Sequence, residues 1–147
     1  MDLKRENSVL IYKEIQIFAY FRGMNKRKRI RQAYADELYL KLLGWLMEDG
    51  RYRSSECSQQ AAAEALGVSV YTLSAAISQS VQPRYNDIVN NLRLRDACEM
   101  LADASCSDMT AEYIGLGVGF ASRQAFYVAF ARQHHITPKQ YRALHAV

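Results

Sequence analysis

The chain has 147 residues, of which 50% are hydrophobic, 23% charged and 11% aromatic. That is enough apolar material for a domain with its own core, and it argues against a disordered chain, a collagen-like repeat or a flexible low-complexity linker. The formal net charge of +4 points to an anionic partner and is carried by the two ends: residues 1–53 hold twelve Lys/Arg against seven Asp/Glu, residues 54–108 three against seven, and residues 109–147 four against one.

At the start, Met1 to Asn7 is charged and the apolar run from Ser8 to Phe21 is broken by Lys13 and Glu14. This is neither a signal peptide nor a membrane span. Leu10, Ile11, Ile15, Phe18 and Phe21 recur at helical spacing, and Leu3, Leu10, Ile17 and Met24 stand seven apart. The pattern predicts an amphipathic N-terminal helix that packs on its own domain or pairs weakly with a second copy. KRKRIR follows, with Lys26, Arg27, Lys28, Arg29 and Arg31 reading either as a solvated connector or as an arm that touches phosphates. Residues 1–37 are thus read as helix plus basic connector, and residues 38–147 as the compact domain. Leu38, Leu42, Trp45 and Leu46 mark one face of its first helix, which Gly50 can end.

From Ser58 onward the punctuation becomes specific. Ser58 can cap a short helix to Leu66, Gly67 supplies a turn that accepts positive φ, and Ser69 caps a second helix to about Gln79. Leu66, Val68, Leu73 and Ile77 suit the wedge between two such helices, with Ala62 and Ala65 allowing close approach. This is a helix-turn-helix over about residues 58–80. After Pro83, a long amphipathic helix over about 84–103 turns Ile88, Leu92, Leu94, Ala97, Cys98 and Leu101 inward. A second unit over about 108–133 repeats the layout, with its turn at Gly119 and a cap at Ser122. With no sustained period-two alternation, the fold class is all-α: two helix-turn-helix subdomains joined by a long linker helix, with an extra N-terminal helix. Cys57, Cys98 and Cys106 are odd in number, form no C-x-x-C pair and sit in helical stretches, which speaks for a reducing, cytoplasmic setting.

The stretch GLGVGFASRQAFYVAF, Gly115 to Phe130, offers glycines that could cradle a phosphate. A dinucleotide loop, however, needs G-x-G-x-x-G after a strand, and a Walker loop needs G-K-[ST]; neither is present. The better account makes Gly119 a turn, Phe120 a core residue, and Phe126 and Phe130 the inner face of the next helix. The longer run GFASRQAFYVAFARQHHITPKQYR resembles the C-terminal signature of AraC/XylS-type transcription regulators at Gly119, Phe120, Ser122, Phe126, Phe130, Thr137, Pro138, Tyr141 and Arg142. AAAEALGVSVYTLSAAI resembles that family's first helix-turn-helix, and NNLRLRDACEML its linker helix. The resemblance spans about residues 38–144.

The resemblance implies a sequence-specific, double-stranded DNA-binding transcription regulator. One chain would lay two recognition helices in successive major grooves, about one helical turn apart. Carried over residue by residue, the contacts fall on Tyr71, Ser74 and Ala75 in the first recognition helix and on Arg123, Gln124, Tyr127 and Val128 in the second. Ser69, Thr72 and Ser122 stand at the helix starts, within reach of phosphate. Arg123 suits guanine, Gln124 suits adenine, and Ala75 and Val128 offer only contact with a thymine methyl. Two departures stand out. The family's glycine after each recognition helix is Gln82 in the first unit and His135 in the second, so each cap must be made differently or at some strain. Gly117 is also expected inside the short helix of the second unit, at a cost of about 1 kcal/mol relative to Ala.

No Lys or Arg lies between Arg53 and Arg84, so the second unit and the basic N-terminal segment are expected to dominate phosphate affinity. Arg93 is expected to pair with an acid inside the domain. His134 and His135 are adjacent and diverge by about 100° on a helix, so no metal site is expected. No catalytic arrangement and no cofactor is expected either; the chain reads as a non-enzyme. About 37 residues precede the matching region, which suits a stand-alone binder or the output fragment of a longer sensor. Beyond DNA, the expected partners are RNA polymerase and, through the N-terminal helix, a second copy in a weak homodimer, with no membrane. The competing reading is a protein-interaction module of the same fold that pairs with another regulator and binds DNA weakly.

Overall fold

A computed structural model describes the backbone over residues 26–80, 82 and 84–146, and side chains from residue 32 onward. The amphipathic helix expected over Ser8–Arg22, with its heptad echo, lies outside the described residues. Within them the chain is all-α.

Helix α1 runs Lys26–Met47 without interruption. The basic run is therefore helical backbone where a polar connector stood as one expectation, and the expected junction between residues 37 and 38 falls inside α1. Ala35, Leu38, Tyr39, Leu42, Leu43 and Leu46 are buried, a three-and-four spacing that gives the helix one apolar stripe. Asp49 and Gly50 then take left-handed φ of 53° and 69°. This double reversal ends the helix and starts a 3-10 turn, Glu48–Arg53.

Helices α2 (Gln59–Leu66) and α3 (Val70–Ser78) begin at Ser58 and Ser69, whose hydroxyls accept from the Ala61 and Thr72 N–H groups. Gly67 between them has φ 69°, and the helices bend by 103° across the break, within the range of helix-turn-helix units. Leu73 and Ile77 are fully buried, Leu66 and Val68 pack on the same core, and Ala62 is buried. Ala65 is exposed, so close approach rests on Ala62 and Ala63 instead.

Helix α4 (Tyr85–Ala102) serves two cores. Its first half gives Tyr85, Ile88 and Val89 to the core of α1–α3, and its second half gives Leu94, Ala97 and Leu101 to a core with Ile114, Val118, Phe120, Phe126 and Phe130. Each fully buried aliphatic or aromatic side chain stabilises by about 1.5–3 kcal/mol relative to exposure, so α4 cannot come away from one unit without unsettling the other. A short 3-10 turn, Ala104–Cys106, leads to α5 (Ala111–Gly117), α6 (Arg123–His134) and α7 (Pro138–His145). Thr137 starts α7 with a reciprocal capping box to Gln140, and the Arg142 guanidinium donates to the Cys106 carbonyl at 3.4 Å.

Two glycines of the GLGVG stretch have steric duties. A Cβ on Gly115 would lie 2.3 Å from the Phe126 ring, and one on Gly119, at φ +113°, would meet the Arg53 carbonyl at 2.6 Å. Gly115 thus lets Phe126 seat, and Gly119 lets the second unit rest on the backbone that leads into the first. Gly117 is the last residue of α5, not an interior one, and faces open space.

The same junction is tied by polar groups. Tyr52 donates through its hydroxyl to Asp96, and Arg53 Nε donates to the same carboxylate at 2.8 Å. Burial first, and then that bond, push the Tyr52 phenol up to about 12, so it remains a donor. Arg93 does not pair with an acid. It donates to the Tyr52 carbonyl at 2.7 Å and the Ser54 carbonyl at 3.2 Å, with its guanidinium 5.8 Å from the Phe120 ring centre. The nearby acid, Asp96, is taken by Tyr52 and Arg53.

No single described helix is long and apolar enough to cross a membrane; α2 and α3 together pass on length and composition, but they form the bent pair whose apolar residues line the first core.

Candidate nucleic-acid interface

The two reading helices leave different side chains free. On α3, Tyr71 is 89% exposed, and Ser74 and Ala75 are exposed. The Ser74 hydroxyl accepts from Gln59 Nε2 at 2.7 Å, which fixes it between α2 and α3. Ser69 and Thr72 are joined hydroxyl to hydroxyl at 2.9 Å, so both are committed to the start of α3. No basic side chain belongs to either helix of this unit.

On α6, Ser122 accepts from the Ala125 N–H at 3.1 Å and fixes the first turn. Arg123 and Gln124 open that turn, both exposed, and Val128 is 61% exposed one turn on. The Arg123 guanidinium lies 5.1 Å from the Tyr127 ring centre. Tyr127 is itself half-buried, edge-on to Phe126 at 5.7 Å. The ring is thus a platform that restricts the Arg123 side chain, which lowers the entropy lost when the guanidinium engages a partner. Of the expected contact residues, Tyr127 is the one the core holds back.

The inner faces of α3 and α6 border a shared groove over α4. A cleft of about 630 Å³ lies between α4 and α6, lined by Asn90, Asn91, Gln124, Val128 and Arg132 among others. A second of about 480 Å³ continues it toward α3, where Ser74 and Gln59 meet Arg84, Asn90 and Arg132. Gln124, Val128 and Arg132 stand four apart, so they form one stripe of α6. That spacing was the available signal for Arg132 as a neighbour of the expected contacts, and the family pattern alone did not supply it. Lys26, Arg27, Lys28, Arg29 and Arg31 occupy the start of α1, with side chains outside the described residues.

The recognition-helix ends differ as the missing glycines require. After α3 the chain turns without positive φ: the Ser80 hydroxyl donates to the Ile77 carbonyl at 2.7 Å and accepts from the Gln82 N–H at 3.2 Å. After α6, His135 itself adopts the left-handed conformation at φ 60°, its N–H bonded to the Ala131 carbonyl at 2.8 Å. The first cap is made by a side chain and the second carries backbone strain.

Behind α6, His134 stacks between Phe130 and Tyr141, with ring centres at 4.6 and 5.4 Å, and meets Cys98 Sγ at 3.3 Å. Burial, and then the neighbouring His135 and His145, lower the His134 imidazole below its ordinary value, and burial raises the Cys98 thiol. Among the described residues, no three His, Cys, Asp or Glu side chains converge to hold a metal ion.

Comparison with known proteins agrees with this arrangement. A family model described as a helix-turn-helix domain matches residues 62–144, more than half of the chain. No curated protein matches it. Among solved structures, a protein of unknown function from Listeria innocua shares the fold with a TM-score of 0.62 and 19% identity, over 73% of this chain and 96% of that one.

Proposed function

This chain belongs to the AraC-type helix-turn-helix family, a family of DNA-binding transcription regulation, and on that premise we propose that it binds double-stranded DNA sequence-specifically as a single chain. The observation that carries this reading is the pair of serine-capped helices, α3 and α6, bordering one groove while held by one shared helix, α4. Two rigidly joined reading helices suit successive major grooves on one face of a duplex. In this reading α6 is the principal reader, with Arg123 on guanine and Gln124 on adenine. Helix α3 adds register through Tyr71 and Ser74. RNA polymerase is the further protein partner such a regulator would meet, and residues 1–25 supply the apolar pattern for weak self-association.

A second reading, the interaction module that binds DNA weakly, is favoured by the lack of Lys and Arg from residue 54 to 83. Exposed Tyr113, Leu116 and Leu144 would serve it. Anisotropy titrations of a promoter-length duplex at two salt concentrations separate the two. Regulation through DNA predicts binding that weakens steeply with salt; no binding below about 10 µM, tighter than much non-specific association, would leave the interaction module.

A further inference from the structure

Arg84 and Arg132 are far apart in sequence, one preceding α4 and the other near the end of α6, yet both border the cleft that ends at Ser74 on α3. Arg132 lines the α4–α6 cleft as well, in line with Gln124 and Val128. Arg132 is exposed, and among the described residues no hydrogen bond, ion pair or ring contact engages it. The Arg84 side chain is 70% exposed, and its one ion pair, to Asp87, is long at 3.7 Å, a contact worth little in water and readily given up. The rest of the groove is neutral amide, Asn86, Asn90 and Asn91 among it, with Asp87 the one acid on its lining.

If α3 and α6 enter successive major grooves, the duplex segment opposite this groove is the one between them. There a minor groove faces the protein and the two flanking phosphate strands are the nearest chemistry. We propose that Arg84 and Arg132 grip the DNA backbone at this midpoint, and so lend the first unit the phosphate contacts that its own two helices lack. This rests on the DNA-binding reading above. It also answers how a unit with no basic side chain between Arg53 and Arg84 is held to a polyanion: the charge is borrowed from the linker start and from the end of the second reading helix. Asp87 opposes the grip, because it sits in the same groove and competes with phosphate for Arg84.

The test is a set of anisotropy titrations against a bound promoter-length duplex and a random duplex of equal length, over a range of sodium chloride. Replacing both Arg84 and Arg132 with Ala should flatten the slope of log K against log salt by about 2 units, near 0.9 for each phosphate released, and weaken both duplexes alike. Arg84→Lys with Arg132→Lys should keep the slope. Asp87→Asn should act in the opposite direction, tightening both duplexes severalfold even though it removes an acid from the first turn of α4, where it helps the helix. An unchanged slope in the double alanine variant, or no gain from Asp87→Asn, overturns the midpoint grip while leaving DNA binding in place. A loss confined to duplexes with one kind of central sequence also overturns it, since the guanidinium groups would then be reading the minor groove. Wild-type protein that fails to bind either duplex overturns the DNA-binding reading and this inference together.

Discussion

Arg123 is the most informative single side chain because its position is fixed from two directions. Ser122 sets the start of α6, and Tyr127 beneath the guanidinium restricts its reach. In the DNA-binding reading, Arg123→Ala should cost roughly 1–3 kcal/mol at one base position and little on random DNA. Binding to a panel of single-base variants reads this directly, and an equal loss on every duplex would reduce Arg123 to a phosphate contact. The glycines give a paired test of packing. Gly115→Ala forces a methyl to 2.3 Å from the Phe126 ring and should destabilise by about 1–3 kcal/mol, as overpacking does. Gly117→Ala meets open space and should be neutral or slightly stabilising, because Ala is the better helix former. Melting curves of the two variants should move in different directions; equal losses would mean that the cost is not the ring contact.

Among the elements, α6 and α7 hold two stored costs that can be relieved or aggravated. His135 sits at φ 60°, so His135→Gly should raise stability by about 1 kcal/mol if left-handed strain outweighs the entropy that Gly adds to the unfolded chain. A lower melting temperature would show that the His135 side chain contributes more than its backbone costs. His134 is held below its ordinary titration range first by burial, so the folded state binds fewer protons than the unfolded one when the pH falls below the model value of 6.5. The sign follows: the group leaves stability intact above that pH and erodes it as the solution is acidified toward the lowered folded value. Denaturation at pH 7.5 and 5.5 should show this loss, and His134→Gln should shrink it.

The same elements show what the sequence disclosed. Serine and threonine before an apolar run, and glycine where φ must be positive, are local signals, and Ser58, Gly67, Ser69, Gly119 and Ser122 all stand where that chemistry requires. The missing glycines at Gln82 and His135 announced unusual caps but not which cap would be strained, since that turned on the Ser80 hydroxyl. Contacts between distant segments were not legible. Whether Arg93 met an acid or carbonyls depended on the path of the Tyr52–Ser54 backbone. Arg84 and Arg132 became neighbours only once α4 and α6 were packed.

At the scale of the whole molecule, one helix, α4, is buried in two cores, and the Tyr52–Asp96–Arg53 and Arg93 contacts fasten the first unit's approach to the second. Both reading helices are therefore carried by one frame. Basic charge is sparse on the first unit, denser on the second, and present at the groove between them, so the chain should depend on α6 for most of its selectivity. Selection of bound duplexes from a fully randomised pool tests this most directly. The account predicts two constrained blocks about one helical turn apart, roughly 10 base pairs, with the block under α6 the more tightly specified and a guanine in it lost from the preference of Arg123→Ala. A pool that returns no enriched sequence, or a single block indifferent to Arg123, would contradict it.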